Sequence, residues 1–228
     1  DPKDILYFRI DRKKKLPIST ILFALGLTRE NIIENFYTQD AYTFDKENKM
    51  WSTKFDPENY KRPIKLSYDL IDAKTKKKHL AKGEKLNFII AKKLKDKNLT
   101  NILVSNTELV GKYLAQDLKE KSGEVIAKSG FDITEEILEK IVLQEISSLK
   151  LVNVDPINKG PYLLETLKVD KNNTKTDALN DIYKVLRPGE APTVEIAEEI
   201  FKNLYFNKDR YDLSEVGRVK LNSKLNLT

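Results

Sequence analysis

Arginine is scarce in this sequence and is concentrated towards its two ends. The chain has 41 lysines and arginines, but the arginines are only Arg9, Arg12, Arg29, Arg62, Arg187, Arg210 and Arg218. An arginine guanidinium offers five donors in a planar fork that matches phosphate and carboxylate groups, which a lysine ammonium cannot do. The retained arginines therefore indicate anion recognition at the two ends of the chain.

Three short motifs contain most of these arginines. RIDRKKK (9–15) ends a predicted strand with a basic cluster, which could also be a simple solvated strand end. In RPGEAPT (187–193), Pro188 disfavours helix at the preceding arginine, Gly189 permits a left-handed turn and Thr193 can cap a following helix. This turn could equally be a helix corner that accepts many residues at position 187. NKDRYDLSEVGR (207–218) brings acids and arginines together, which a local web of salt bridges would also explain.

Signatures of a self-contained enzyme are absent from the sequence. It has no cysteine and a single histidine, His79, without a partner at metal or triad spacing. No Gly-rich phosphate loop or His-Glu-x-x-His helix occurs. The acid pairs 135–136 and 198–199 stand at predicted helix starts, where they oppose the helix dipole. A stand-alone hydrolase is disfavoured, since no nucleophile–base pair can be assembled.

Composition indicates a folded protein without a membrane segment. The 228 residues are 40% hydrophobic, which is enough for a packed core. No apolar run approaches the ~20 residues of a membrane span. The formal net charge is +6, which fits either an anionic partner or mere solubility. The absence of cysteine fits a reducing cytoplasm, and a start without Met or signal peptide suggests a cut inside a longer protein.

Hydrophobic periodicity predicts an α+β fold with an interrupted domain. A strand in the run DILYFRIDRKKKLP that ends in a basic turn, followed by two short helices, leads to residue 36, with Ser19 as the cap of the first helix. Residues 37–159 are rich in lysine and contain several predicted strands, and predicted helices follow after residue 160. We therefore predict a mainly helical domain (1–36 and 160–228) interrupted by an inserted mixed α/β domain (37–159).

The middle of the chain contains a weak internal repeat. Residues 68–104 resemble 113–154: an acid in a strand (Asp72 or Asp117), a Lys-rich turn, a second strand, a glycine, a helix and an apolar strand. A duplicated ββαβ-like unit with a period of about 45 residues explains this. Two duplicated ligand sites would also explain it, but no convergent polar residues support them.

Three longer stretches resemble one protein family. They are RIDRKKKLPISTILFALGL, GPYLLETLKVD and DALNDIYKVLRPGEAPTVEIAEEIFKNLYFNKDRYDLSEVGRVKLN, together covering roughly 1–36 and 160–228. They closely resemble the bacterial DNA-dependent RNA polymerase beta subunit. The resemblance implies that these residues form its lobe, one wall of the DNA cleft. Residues 37–159 would be a lineage-specific insertion of the proteobacterial type.

The resemblance also implies which residues bind and which chemistry is absent. DNA-binding residues would be Asp11, Arg12, Lys13, Lys14, Arg187 and Arg210, contacting the non-template strand and downstream duplex. The KKK run departs from the arginine-richer turn common in the family, so charge is kept without bidentate contacts. The family's catalytic Mg²⁺ is held by the beta-prime subunit, so we expect no cofactor and no catalysis from this segment alone.

Two functions of different classes follow from this resemblance. In the first, the chain is a DNA-cleft lobe of a transcription enzyme whose further partners are the alpha, beta-prime and omega subunits and sigma factor. In the second, it is chiefly a protein-docking module whose insertion binds sigma factor or transcription regulators. The exposed, Lys-rich and Arg-poor composition of 37–159 permits the second.

Overall fold

A computed structural model describes residues 4–11, 13–120, 122–154 and 160–227, without the side chain of Asp11. Helices and strands are both abundant, which confirms the predicted α+β class. The first half of the chain contains β1 (Tyr7–Asp11), β2 (Lys14–Pro17), α1 (Ile18–Ala24), α2 (Arg29–Phe36), β3 (Thr38–Asp45), β4 (Met50–Lys54), β5 (Ile64–Lys65), β6 (Leu70–Asp72), β7 (Lys78–Leu80), β8 (Lys85–Leu86), α3 (Phe88–Asp96) and β9 (Asn101–Val104). The second half contains β10 (Leu118–Lys119), β11 (Val125–Ala127), α4 (Glu135–Leu143), β12 (Ser148–Asn153), α5 (Tyr162–Val169), α6 (Lys175–Leu186), α7 (Val194–Tyr205) and α8 (Glu215–Leu225).

The chain divides into two compact units. The terminal unit is Asp1–Thr28 with Val169–Thr228, and the middle unit is Arg29–Lys168. These units are defined by contacts within the fold. The predicted boundaries at 36 and 160 describe where an insertion begins and ends, and that insertion stays a prediction. Packing assigns α2 and nearly all of α5 to the middle unit.

In the terminal unit, helices α6 and α7 each begin at a threonine whose side chain caps the helix. Thr174 and Thr193 accept hydrogen bonds from Asp177 N and Ile196 N and so begin α6 and α7, and Thr193 is the predicted cap. Helix α6 packs against α1 and α7 and buries Leu179 and Ile182. Helix α7 buries Ala197 and Phe201, whereas Ile196 is 46% exposed.

Helix α1 lacks the predicted side-chain cap, and its first residues instead bond to a distant carboxylate. Its N-cap residue is Pro17, and Ser19 makes no capping bond to the α1 backbone. Instead the hydroxyls of Ser19 and Thr20 donate to one carboxylate oxygen of buried Asp170, at 2.5 and 3.0 Å. The other oxygen accepts from the backbone N of Asn172 at 2.9 Å. The prediction for Ser19 was wrong because its hydroxyl is used by a residue far along the chain.

The middle unit surrounds an antiparallel sheet of order β12-β3-β4-β9-β6-β7. Its core contains Trp51, Phe55, Leu70, Leu103 and Leu151, all nearly inaccessible to solvent. Two-stranded ladders, β5–β8 and β10–β11, stand outside this sheet. Helices α3 and α4 each contribute an inward residue, Ala91 and Ile141.

Two stretches of the middle unit make the same backbone contacts. Leu66 N donates to Glu84 O, and Gly83 N to Leu66 O, while Leu114 N donates to Phe131 O, and Gly130 N to Leu114 O. Each stretch continues into a nine-residue helix, α3 or α4, whose cap side chain is Asn87 or Thr134. Both helices are followed by a residue with positive φ, Asn98 or Glu145.

The acids of these two stretches differ from the predicted correspondence. Asp117 accepts from Ser129 N at 2.8 Å, and the matching contact is made by Asp69, which accepts from Lys82 N at 2.7 Å. Asp72 instead accepts from Lys74 N and the Thr75 hydroxyl, within the β6–β7 turn. Asp72 therefore organises a local turn and does not correspond to Asp117.

Candidate nucleic-acid interface

The first candidate motif forms the turn of the β1–β2 hairpin. Asp11 is paired with Lys14 beside an irregularity in the ladder, and Lys13 is exposed in the turn. Arg12 lies outside the described residues, as does the side chain of Asp11. Lys14 is half-buried. The hairpin thus presents Lys13 to solvent as a cation fixed by strand pairing.

Arg187 stands at the corner between α6 and α7. Its backbone N donates to Tyr183 O at 2.8 Å, so the residue closes the last turn of α6. Gly189 follows with φ 91°, which a residue with a Cβ would adopt only with strain. The predicted turn chemistry is confirmed at both Gly189 and Thr193.

The Arg187 side chain is partly restrained but remains available. One guanidinium nitrogen lies 3.6 Å from a Glu190 carboxylate oxygen, and the side chain is 57% exposed. The same Glu190 oxygen accepts from the Tyr183 hydroxyl at 2.7 Å. That hydrogen bond, with smaller contributions from burial and the Glu190 charge, raises the pKa of Tyr183. Tyr183 therefore holds Glu190, and Glu190 holds Arg187, with several guanidinium donors unused.

Arg210 lies in the turn that follows α7. Its backbone N donates to Asn207 O at 3.0 Å, and the Asn207 side chain accepts from Asp209 N at 3.0 Å. Among the residues that the structure describes, no ion pair joins Asp209, Arg210, Asp212 and Arg218. The alternative of a local salt-bridge web is therefore not supported, and the exposed Arg210 is free to meet another anion.

A concavity beside this turn contains residues that the sequence did not single out. Its volume is about 250 Å³, and it is lined by Tyr205, Phe206, Lys208, Tyr211, Asp212, Leu213 and Arg218. Phe206 and Tyr211 are 60% and 53% exposed. Exposed rings beside cations are able to stack bases and pair with phosphates. The signal available in the sequence was the run YFNKDRY, in which aromatic residues flank the cations.

The candidates form two groups within the terminal unit. Arg187 precedes α7 and Arg210 follows it, and a helix of 12 residues separates its ends by about 18 Å. The Phe8 ring in β1 packs edge-on against Tyr205, with centroids 6.1 Å apart. The hairpin strand therefore lies near the Arg210 end of α7, and Arg187 lies at the other end.

The described residues contain neither a metal cluster nor a membrane helix. No group of three or more His, Asp or Glu side chains within them is arranged to hold a metal ion. No helix in the same ranges is long and apolar enough to cross a bilayer.

Comparison with known proteins adds the family. The model described as RNA polymerase Rpb2, domain 2, matches residues 130–228. The chain is 46% identical over 228 residues to the DNA-directed RNA polymerase subunit beta of Rickettsia massiliae, covering 100% of the chain and 16% of that protein. The chain belongs to the bacterial RNA polymerase beta-subunit family. The earlier resemblance is thereby confirmed.

Other relatives align over almost the same length. The chain is 43% identical over 232 residues to the DNA-directed RNA polymerase subunit beta of Caulobacter sp. strain K31, covering 100% of the chain and 17% of that protein. With the protein of the same name from Caulobacter vibrioides strain NA1000 the identity is 42% over 226 residues, 99% of the chain and 16% of the relative. The chain thus spans about one sixth of the length of these relatives, and the matches run through its middle unit.

Proposed function

We propose that this chain is the lobe region of a DNA-directed RNA polymerase beta subunit and lines the DNA cleft during transcription. The observation that carries this proposal is the identity of 46% with a polymerase beta subunit along all 228 residues. The chain contacts the non-template strand and downstream duplex through Asp11, Arg12, Lys13, Lys14, Arg187 and Arg210.

The geometry of the terminal unit suits this role. Exposed cations in turns neutralise phosphates, so they position DNA without reading its sequence and make binding salt-dependent. The Arg187 corner is tied to α6 by a backbone hydrogen bond and to Glu190 by an ion pair. The rings of Phe206 and Tyr211 beside Arg210 add a surface on which unpaired bases can stack.

The assembled enzyme supplies the chemistry. The chain acts within a nucleotidyltransferase, together with the alpha, beta-prime and omega subunits and sigma factor, in the cytoplasm. The catalytic Mg²⁺ is held by the beta-prime subunit, and this segment holds no cofactor. Its own residues bind and orient DNA.

The middle of the chain is proposed to be an insertion in the lobe. Residues 37–159 form the inserted domain, which contains a duplicated ββαβ-like unit. The matched contacts of Leu66 and Leu114, and of Asp69 and Asp117, support this duplication.

Arginine substitutions in the assembled polymerase test the proposal. Arg12→Ala, Arg187→Ala and Arg210→Ala should each shorten the lifetime of the open complex by about ten-fold, since each removes charge-assisted phosphate contacts. Lys184→Ala is the matched control, because this exposed lysine lies on α6 close to Arg187. The readout is dissociation of a fluorescent promoter complex at several salt concentrations. If all three lifetimes equal that of the control, the DNA-contact assignment is wrong.

A second candidate function is protein docking by the middle unit, favoured by one apolar groove. A cavity of about 200 Å³ is lined by Phe44, Lys46, Trp51, Ile141, Val142, Glu145, Ile146 and Ser147. Val142 and the adjacent Leu143 are 53% and 79% exposed. Under this function, Val142→Glu should weaken binding of sigma factor or a regulator and leave the salt dependence of the open complex unchanged. Unaltered protein binding in a pull-down titration would remove this candidate.

A further inference from the structure

The two matched stretches of the middle unit carry opposite charge. Residues 66–97 contain ten lysines and four acids, whereas 114–144 contain four lysines and seven acids. The stretches share their turn contacts, helix caps and helix lengths. A similar fold therefore accommodates a basic and an acidic surface.

Two matched positions carry opposite charges in the two stretches. Counting from the matched glycines, Gly83 and Gly130, the position of Lys85 is taken by Asp132 in the second stretch. The position of Lys92 is taken by Glu139. The backbone tolerates either sign of charge there, so folding alone does not explain the basic set.

The basic residues lie on the β5–β8 ladder, in the turn before β8 and on α3, which follows it. Lys65 and Lys85 are direct cross-strand partners, and like charges in that arrangement destabilise a sheet. Lys65 Cε also lies 3.8 Å from the position that a Cβ on Gly83 would occupy. Strand β8 runs through Asn87 into α3, whose exposed side carries Lys92 and Lys93. We call this set, Lys65, Lys82, Lys85, Lys92 and Lys93, the basic ladder surface.

Within the described residues, the lysines of the basic ladder surface form no close ion pair, although the charge of Lys82 acts at longer range on Asp69 and Glu108. Two other lysines of this part of the chain, Lys61 and Lys78, pair with Glu58 and Asp69 at 2.7 Å. Within the described part of the chain, no carboxylate lies within 4.0 Å of any ammonium of the surface. Among the residues that the structure describes, these five exposed cations therefore have no ion-pair partner within 4.0 Å.

We propose that the basic ladder surface binds the phosphate backbone of duplex DNA, in addition to the contacts of the terminal unit. Protein–protein interfaces are enriched in aromatic residues and arginine and depleted in lysine, whereas this surface consists of lysines. Lysine ammonium groups act as point charges on phosphate and read no sequence. The surface is therefore a sequence-independent contact to DNA, made by residues outside those assigned to the cleft wall.

Charge removal on the 228-residue chain tests this inference. The variant K65Q/K85Q/K92Q/K93Q is titrated with a fluorescent 30-bp duplex by anisotropy at several salt concentrations. Loss of four phosphate contacts should weaken binding about ten-fold or more at low salt and reduce the steepness of log K against log salt by about 3.6, which is about 0.9 for each contact. The matched control K119Q/K128Q/K140Q/K150Q removes the same charge from exposed lysines of the acidic stretch and β12, and should change binding less than two-fold. Circular dichroism and thermal unfolding establish that both variants fold, and single K85Q and K92Q variants replace the fourfold variant if it does not.

Other outcomes distinguish the alternatives. Equal weakening in both fourfold variants would mean that only net charge matters and would overturn the site. If poly-glutamate binds as tightly as DNA with the same lysine dependence, an acidic protein is the partner and the DNA assignment is wrong. The R187A/R210A variant of the same chain separates this proposal from the proposed contacts of the terminal unit. In that variant, the four ladder substitutions should still weaken DNA binding, even if Arg187 and Arg210 prove not to bind DNA.

Discussion

The ammonium of Lys168 binds two carboxylates at once. It donates to Asp132 at 2.7 Å and to Glu165 at 2.9 Å, and Glu165 also accepts from the Tyr113 hydroxyl at 2.7 Å. The hydrogen bond from Lys168 is the main cause that lowers the pKa of Asp132, and burial opposes it. One lysine thereby joins α5 to the loop before α4.

Replacing Asp132 should therefore change how stability depends on pH. A carboxyl whose pKa is lower in the folded state contributes fully above its unfolded pKa of about 3.9 and loses its contribution as pH falls further. We expect Asp132→Asn to lower the free energy of unfolding by about 1 kcal/mol at pH 7, since the pair is partly exposed. Urea unfolding from pH 7 to 2 should show this difference shrinking below about pH 4.

Asp96→Asn is the matched control for this experiment. Asp96 is exposed on α3 and has no ion pair within the described residues, so its replacement should change stability little at any pH. If the loss of unfolding free energy in Asp132→Asn stays constant down to pH 2, the effect does not come from the charge of Asp132.

At the scale of elements, helix α1 depends on a carboxylate that is far away in the sequence. Asp170 is almost fully buried and accepts from the side chains of Ser19, Thr20 and Asn172. Helix α1 follows β2 directly, so this network also holds the base of the hairpin that presents Lys13. The turn that presents Lys13 is thus supported by a residue far along the chain.

Removing this carboxylate should be costly. We expect Asp170→Ala to lower the free energy of unfolding by about 3 kcal/mol, because two buried hydroxyls lose their acceptor. Asp177→Ala serves as control, since that residue accepts from Thr174 in an exposed first turn, and its loss should cost about 1 kcal/mol or less. Both values come from denaturant unfolding, and equal costs would show that Asp170 adds no more than an ordinary cap.

At the scale of the whole molecule, the two compact units predict where the chain can be shortened. The terminal unit buries Phe23, Leu179 and Phe201. In the middle unit, a Cβ on Gly130 would meet Ile33 and Leu167 at 3.6 and 3.7 Å, so α2 and α5 line the Gly130 turn.

Two deletions test this division. Replacing 29–168 by a short Gly/Ser linker should leave a cooperatively unfolding helical unit, seen by circular dichroism and thermal melting. Deleting 37–159 should also leave that unit folded, but with the apolar residues of α2 and α5 uncovered and therefore with stronger binding of a hydrophobic dye. Loss of cooperative unfolding in both variants would contradict the independence of the terminal unit and the insertion proposal with it.

The sequence by itself determined the helices and turns whose hydrogen bonds are local. Thr174 and Thr193 begin α6 and α7 because a cap side chain bonds to a backbone N three residues ahead. Gly26 and Gly189 stand where the backbone adopts positive φ. These interactions depend on neighbours in the chain, so turn chemistry was sufficient to predict the roles of Gly189 and Thr193.

Only the tertiary structure decided the long-range partners. Asp170 lies 151 residues from Ser19, and no local pattern links them. Asp69, and not Asp72, corresponds to Asp117, because each of these two carboxylates accepts a hydrogen bond from the backbone N of the residue just before the matched glycine. The excess of lysine was visible in the sequence, but the pairing of Lys65 with Lys85 required strands separated by a hairpin to meet. Tertiary packing brings such residues together, and their spacing in the sequence does not indicate that they will be in contact.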